Sequence, residues 1–208
     1  MLKLKYAVRP VLRPIVHRVR RLIWLIEGKE PSALTTDPQY KREKIIHYGK
    51  LYNCETFFET GTYRGDTTDE MRKQFDTVLS IEIYEPLFRE SEARFRDANN
   101  VKLYLGDSSR LMPEMLKEIK GRAIFWLDGH YSGLGTGKGK SECPVHDELI
   151  AIKNFTSSNH VILIDDARLF GVDPCYPAIS EIRDLLVSIN PEYNIFVEQD
   201  IIHSLPPT

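Results

Sequence analysis

Six carboxylates stand where apolar runs of this chain stop. Glu59 closes Thr56-Phe57-Phe58, Glu82 lies near the end of Thr77–Ile83, Asp107 follows Val101–Leu105, Asp128 ends Ala123–Leu127, and Asp165 and Asp166 follow Val161–Ile164. One or two such acids would be ordinary solvated turn residues. Six at successive run ends suggest a shared crevice, where carboxylates can hold hydroxyls, cations or protons. Glu82 has a specific reading. An acid ending the second strand of an α/β sheet can accept hydrogen bonds from both ribose hydroxyls of an adenosine-containing ligand. Asp107, in Leu105-Gly106-Asp107-Ser108, can hold an adenine amino group or cap the next helix, and the two roles are compatible.

Beside Glu59 runs Thr60-Gly61-Thr62-Tyr63-Arg64-Gly65-Asp66, read as a tight loop between a strand and a helix. Glycines there permit positive φ and let a ligand reach the backbone with no Cβ in the way. Thr67 and Glu70 have capping-box spacing, which predicts a helix start at Thr67. A structural turn alone would also use these glycines. Their GxxxG spacing departs from the GxGxxG dinucleotide fingerprint.

The elements that must carry these residues alternate. The pattern predicts a helix from Asp37-Pro38 to about Asn53, strands at 77–83, 101–105, 123–128 and 161–165, and helices at 85–98, 109–119, 142–155 and 178–189. A hairpin, 193–197 and 201–204 around Gln199-Asp200, ends the chain. Strands alternating with helices predict a mostly parallel, doubly wound α/β sheet. Val161–Ile164 is wholly apolar and belongs at the sheet centre.

The chain has 208 residues, enough for one such domain, and a formal net charge of −2, which gives no nucleic-acid signature. Charge is uneven. Residues 1–30 hold eight Lys/Arg against Glu27 and Glu30, leaving 20 basic and 28 acidic residues for the body. From about Ile15 to Ile26 a basic amphipathic helix with Trp24 is expected, suited to an anionic membrane surface or to packing on the domain or a partner subunit. Residues 28–36 read as linker, so the α/β domain would span 37–208. No run approaches the roughly 20 apolar residues of a membrane span. Cys54, Cys143 and Cys175 form no CxxC pair, which fits a reducing, cytoplasmic setting, with peripheral contact to the inner membrane face if the leader binds lipid.

Taken together, Glu59-Thr-Gly61-Thr-Tyr-Arg-Gly65, Glu82, Gly106-Asp107-Ser108 and Asp128 resemble the successive motifs of class I S-adenosylmethionine-dependent methyltransferases, over about residues 54–204. The resemblance implies a Rossmann-like, seven-stranded sheet in order 3-2-1-4-5-7-6 with the last strand antiparallel. It implies S-adenosylmethionine as cofactor, held by Glu59, Gly61, Thr62, Tyr63 and Gly65 on the first loop. Glu82, Ile83, Asp107, Ser108 and Asp128 would complete that set. Tyr63 stands where many members have another glycine.

Phe125-Trp-Leu-Asp128-Gly-His130 and Ile162-Leu-Ile-Asp165-Asp166 look like the metal-dependent O-methyltransferase branch, which includes catechol-type and macrolide-sugar enzymes. That likeness implies Mg²⁺ held by Asp128, Asp165 and Asp166. Three carboxylates without a thiolate make a hard, oxygen-only site that suits this ion. With Asp128, His130 is the catalytic candidate, as a base with an ordinary pKa near neutrality. The branch commonly places its base three residues past the strand-four acid, where this chain has Tyr131; His130 is two past. His146 is expected on a helix face. The loop from Gly133 to Lys140 carries four glycines and two lysines and could close over an anionic substrate.

The expected activity is Mg²⁺-dependent O-methyl transfer to a sugar, a glycan precursor or a glycosylated natural product. Two other readings stay open: an Fe²⁺ hydroxylase on the same scaffold, and a non-catalytic adenosine-ligand binding module. The expected partners are a small-molecule or glycan acceptor and a second copy of the chain, with no nucleic acid.

Overall fold

The computed structural model describes residues 37–130, 137, 139, 143–155 and 159–208. The expectations for the leader and linker, residues 1–36, and for most of the loop 131–142 lie outside the described residues, as does the helix start expected at Glu142.

Seven strands form one sheet in the order β3-β2-β1-β4-β5-β7-β6. They are β1 (Thr56–Thr60), β2 (Thr77–Glu82), β3 (Val101–Leu105), β4 (Ala123–Leu127), β5 (Val161–Ile164), β6 (Asn194–Glu198) and β7 (Ile201–Leu205). β7 alone runs against its neighbours, pairing antiparallel with both β5 and β6. Among the described residues the α-helices are α1 (Pro38–Leu51), α2 (Asp66–Met71), α3 (Glu85–Arg94), α4 (Ser108–Met115), α5 (Val145–Asn154) and α6 (Ile179–Ile189).

Strand alternation builds the two cores. Phe57, Ile124, Trp126, Val161 and Leu163 face one side, where they meet Ile45 and Tyr48 of α1 and Met71 of α2. Phe58, Phe125, Leu127, Ile162 and Ile164 face the other, against Met112, Leu149, Ile152, Ile182 and Leu186. With both faces covered, β1, β4 and β5 are buried at every position, as a central parallel strand requires.

Several boundaries differ from the sequence reading. Helix α2 begins at Asp66, capped by Gly65 in the left-handed region, and the Thr67–Glu70 box is not its cap. Helix α3 ends at Arg94, four residues early; the chain turns at Phe95, whose buried ring sits under Gly65. Helix α4 starts at Ser108 with Asp107 as N-cap and gives way after Met115 to a 3₁₀ turn over Leu116–Glu118. Gln199 and Asp200 both have positive φ (47° and 63°), the backbone twist a two-residue hairpin needs.

Candidate active site

The loop after β1 is set by two glycines. Gly61 has φ 89°, and a Cβ there would lie 2.6 Å from the Asp128 carbonyl oxygen. Gly65 has φ 77°, and its Cβ would meet the Phe95 ring at 2.7 Å. Only glycine fits either place. The amides of Gly61 and Thr62 both donate to the Ile81 carbonyl, at 2.9 and 3.1 Å, tying the loop to β2.

Glu59 is 2 % exposed and turns beneath this loop. Its Oε2 accepts from Thr68 Oγ1 at 2.6 Å and from Ser80 Oγ at 2.7 Å, and Ser80 Oγ lies 2.6 Å from Thr62 Oγ1. Burial pushes the Glu59 carboxyl up to about 8 against these two bonds. The residue therefore fastens α2, β2 and the loop to one another.

Glu82 lies at the neighbouring strand end. Its two oxygens accept the backbone N–H groups of Tyr63, at 2.8 Å, and Tyr84, at 2.7 Å. Each oxygen keeps a lone pair for a further donor. Burial raises its pKa, opposed by those amides. Asp107 caps α4, accepting from Ser109 N at 3.0 Å and Ser109 Oγ at 2.6 Å. Of the long loop, Gly137 and Gly139 lie against Ile83 and Asp107, so close that a Cβ would come within 2.5 and 2.6 Å of them. Lys138 and Lys140 fall outside the described residues.

Sequence reasoning missed Glu148. It is 1 % exposed on α5, accepts from Ser108 Oγ at 2.5 Å, and bonds Thr60. Burial raises its pKa to about 7. A signal was present: Glu148 falls on the apolar stripe of Val145, Leu149 and Ile152, where an acid must be partnered. His146, by contrast, sits with a half-exposed side chain 3.6 Å from Asp147, away from the strand-end acids.

The fourth and fifth strand ends carry a cluster of alternating charge. His130 Nδ1 lies 3.1 Å from Asp128 Oδ1, and Nε2 lies 2.8 Å from Asp166 Oδ2. Burial opposes a charge on the ring, but the two carboxylates outweigh it and raise its pKa to about 10. Arg168 Nη1 donates to Asp166 Oδ1 at 2.7 Å and also to Asp200. Burial pushes the Asp166 pKa up, yet His130 and Arg168 hold it well below the usual carboxylate range. Lys41, from α1, pairs with Asp165. Burial and then Asp128 push Asp165 up to about 7 despite that lysine. Lys41, Arg168 and Asp200 carried no motif and were not found from sequence.

Among the described residues, a group of three acids with carboxylate oxygens within 4.8 Å of one another is formed by Asp165, Asp166 and Asp200. Asp128 meets Asp166 through the His130 ring. The donor set is hard and oxygen-only, which fits a magnesium-like ion. Lys41, Arg168 and His130 already supply positive charge to these acids, so such an ion would compete with them.

No protein-family model and no curated protein matches this sequence. Solved structures do resemble it. A putative caffeoyl-CoA O-methyltransferase from Staphylococcus aureus aligns over all of both chains at TM-score 0.57 and 13 % identity. The O-methyltransferase TomG from Streptomyces achromogenes, in complex with SAM, covers 87 % of this chain and 85 % of its own at TM-score 0.56 and 13 % identity. The SAH-bound Podospora anserina methyltransferase PaMTH1 covers 88 % and 84 % at TM-score 0.55 and 14 % identity. At such identities the likeness is one of fold. The fold is the Rossmann-like methyltransferase fold, with its strand order and antiparallel β7.

Proposed function

We propose that this protein is an S-adenosylmethionine-dependent methyltransferase that methylates a hydroxyl of a sugar, a glycan precursor or a glycosylated natural product. The observation that carries the reading is the sheet order β3-β2-β1-β4-β5-β7-β6 with the Gly61–Gly65 loop and Glu82 on its carboxyl edge. Open α/β sheets bind ligands on that edge, at the point where strand order reverses. Here that point lies between β1 and β4.

In this reading Glu82 takes the ribose hydroxyls. The Tyr63 and Tyr84 amides fix its carboxylate in direction. Asp107 and Ser108 border the adenine, Thr62 and Ile83 line the same edge, and Gly61 leaves room at the backbone. Glu59 keeps the loop in shape from below. Asp165 and Asp166, with Asp128, would hold Mg²⁺, and Asp200 is a further oxygen within reach. When bound, the cofactor would supply the methyl group and the ion a Lewis acid at the acceptor oxygen. His130, held as an imidazolium by Asp128 and Asp166, has no lone pair for a proton. It becomes a base when the neighbouring carboxylates are neutralised, because its pKa then falls toward the ordinary range. Most of the rate gain in such a site would come from positioning.

The testing experiment is calorimetric titration with S-adenosylhomocysteine, with and without Mg²⁺, followed by transfer of a labelled methyl group to hydroxyl acceptors in EDTA and in Mg²⁺. Micromolar binding supports the cofactor assignment; absence of binding ends it. Full turnover in EDTA would retain methyl transfer and remove the metal. For the basic leader we propose surface attachment, checked by sedimenting the full chain and a chain starting at Ser32 with anionic vesicles. Among the described residues no helix is long and apolar enough to cross a membrane.

A further inference from the structure

Tyr176 follows β5 on the far side of the site from Glu82. It is 7 % exposed, and its hydroxyl has no hydrogen-bond partner among the described residues. A buried hydroxyl without a partner is costly, and native structures rarely keep one without a reason. The ring is well fixed. It packs edge-on against Phe170, with centroids 5.2 Å apart at 83°, and lies 6.0 Å from the His130 ring. Beside it is a recess of about 10 Å³ lined by Tyr176, His130, Asp165, Glu148 and Cys143, among others. That volume suits one water-sized group, and Tyr176, His130, Asp165 and Glu148 are the polar residues of a lining that is otherwise largely apolar, with Leu127, Val145, Ile164 and Phe170.

We propose that this recess is a subsite for a single hydroxyl-type oxygen, water in the free protein and the acceptor's hydroxyl during turnover, with Tyr176 as its hydrogen-bond donor. The second half rests on the methyltransferase reading above. The chemistry of the lining selects the group. Tyr176 offers a proton that an accepting guest can take. Asp165 and Glu148 offer carboxyl oxygens, so the guest gains by donating in return. A neutral hydroxyl does both, whereas a methyl ether cannot donate. The subsite therefore favours release of the methylated product. Tyr176 is a positioning residue for the acceptor.

The test uses the full chain and Tyr176→Phe. Crystals of the free parent should show one ordered water bonded to Tyr176 Oη, and crystals of Tyr176→Phe should lack it. Ethylene glycol soaked into parent crystals should place a hydroxyl oxygen at the same point. A dry recess, or Tyr176 Oη bonded to a side chain from residues 131–142, overturns the proposal, and a soak that leaves the water in place overturns its acceptor half. S-adenosylhomocysteine should bind both proteins equally; a loss in Tyr176→Phe would move Tyr176 to the cofactor side and overturn the assignment. If the parent itself fails to bind that ligand, the methyltransferase reading fails while the water still decides the subsite. With catechol as the acceptor probe, any turnover seen should show KM raised about tenfold in Tyr176→Phe and kcat nearly unchanged, the size of one lost hydrogen bond. An unchanged KM overturns the positioning role.

Discussion

Nε2 of His130 lies 2.8 Å from Oδ2 of Asp166, and the other ring nitrogen faces Asp128. The ring therefore bridges the acids of two adjacent strand ends, from β4 and β5. Charge, not only geometry, follows from this contact, because both partners favour the protonated ring.

Asp166→Asn should lower the His130 pKa from about 10 toward its ordinary value, since one of the two carboxylates that raise it is lost. Imidazole NMR titration of both proteins reads this directly. An unchanged titration would mean that Asp128 alone holds the ring. The sign for stability is defined. A raised histidine pKa stabilises the fold below about pH 6.5, and that contribution fades as pH climbs through about 10.

His160 should produce the opposite dependence. It is 1 % exposed, Nδ1 accepts the Ala123 amide at 3.0 Å, and burial pushes its pKa down to about 4. The folded state thus binds its proton later than the unfolded state. Its stabilisation is complete above about pH 6.5 and is lost as pH falls toward 4, by up to about 3 kcal/mol. Urea melts between those limits should show the slope, and His160→Asn should flatten it at a cost in stability. A parallel slope in both proteins would assign the effect elsewhere.

Glu82→Ala should weaken S-adenosylhomocysteine binding by roughly 2–4 kcal/mol, the value of two charge-assisted hydrogen bonds. Because Glu82 also holds the Tyr63 and Tyr84 amides, Glu82→Gln is the needed companion and should lose less. Equal affinity in Glu82→Ala and the parent would remove the ribose assignment.

Gly61→Ala should cost about 1–3 kcal/mol of stability, through positive φ and collision with the Asp128 carbonyl. Chemical denaturation measures the loss. A neutral substitution would mean that the loop can shift away from β4.

Much of this protein is decided locally and is visible in its sequence. Apolar runs ending in acids marked β1 to β5 to within two residues, and turn residues at Gln199-Asp200 marked the β6–β7 hairpin; β1, β4 and β5 were plainest, because a strand buried on both faces must be apolar along its whole length. The glycines at 61 and 65 announced the loop, since no other residue tolerates such positive φ at that crowding. Helix ends were less legible: whether Thr67 or Gly65 capped α2 depended on Phe95, 30 residues away, packing under the turn. The charge balance of the site was not legible at all. Lys41 comes from a helix before β1, Arg168 from the turn after β5, and Asp200 from the closing hairpin. No spacing rule links them, because long-range contacts between charged side chains leave no periodicity along the chain. Only the folded sheet, by bringing those elements to one edge, determined which acids are paired, which are raised toward neutrality, and that His130 stands between Asp128 and Asp166.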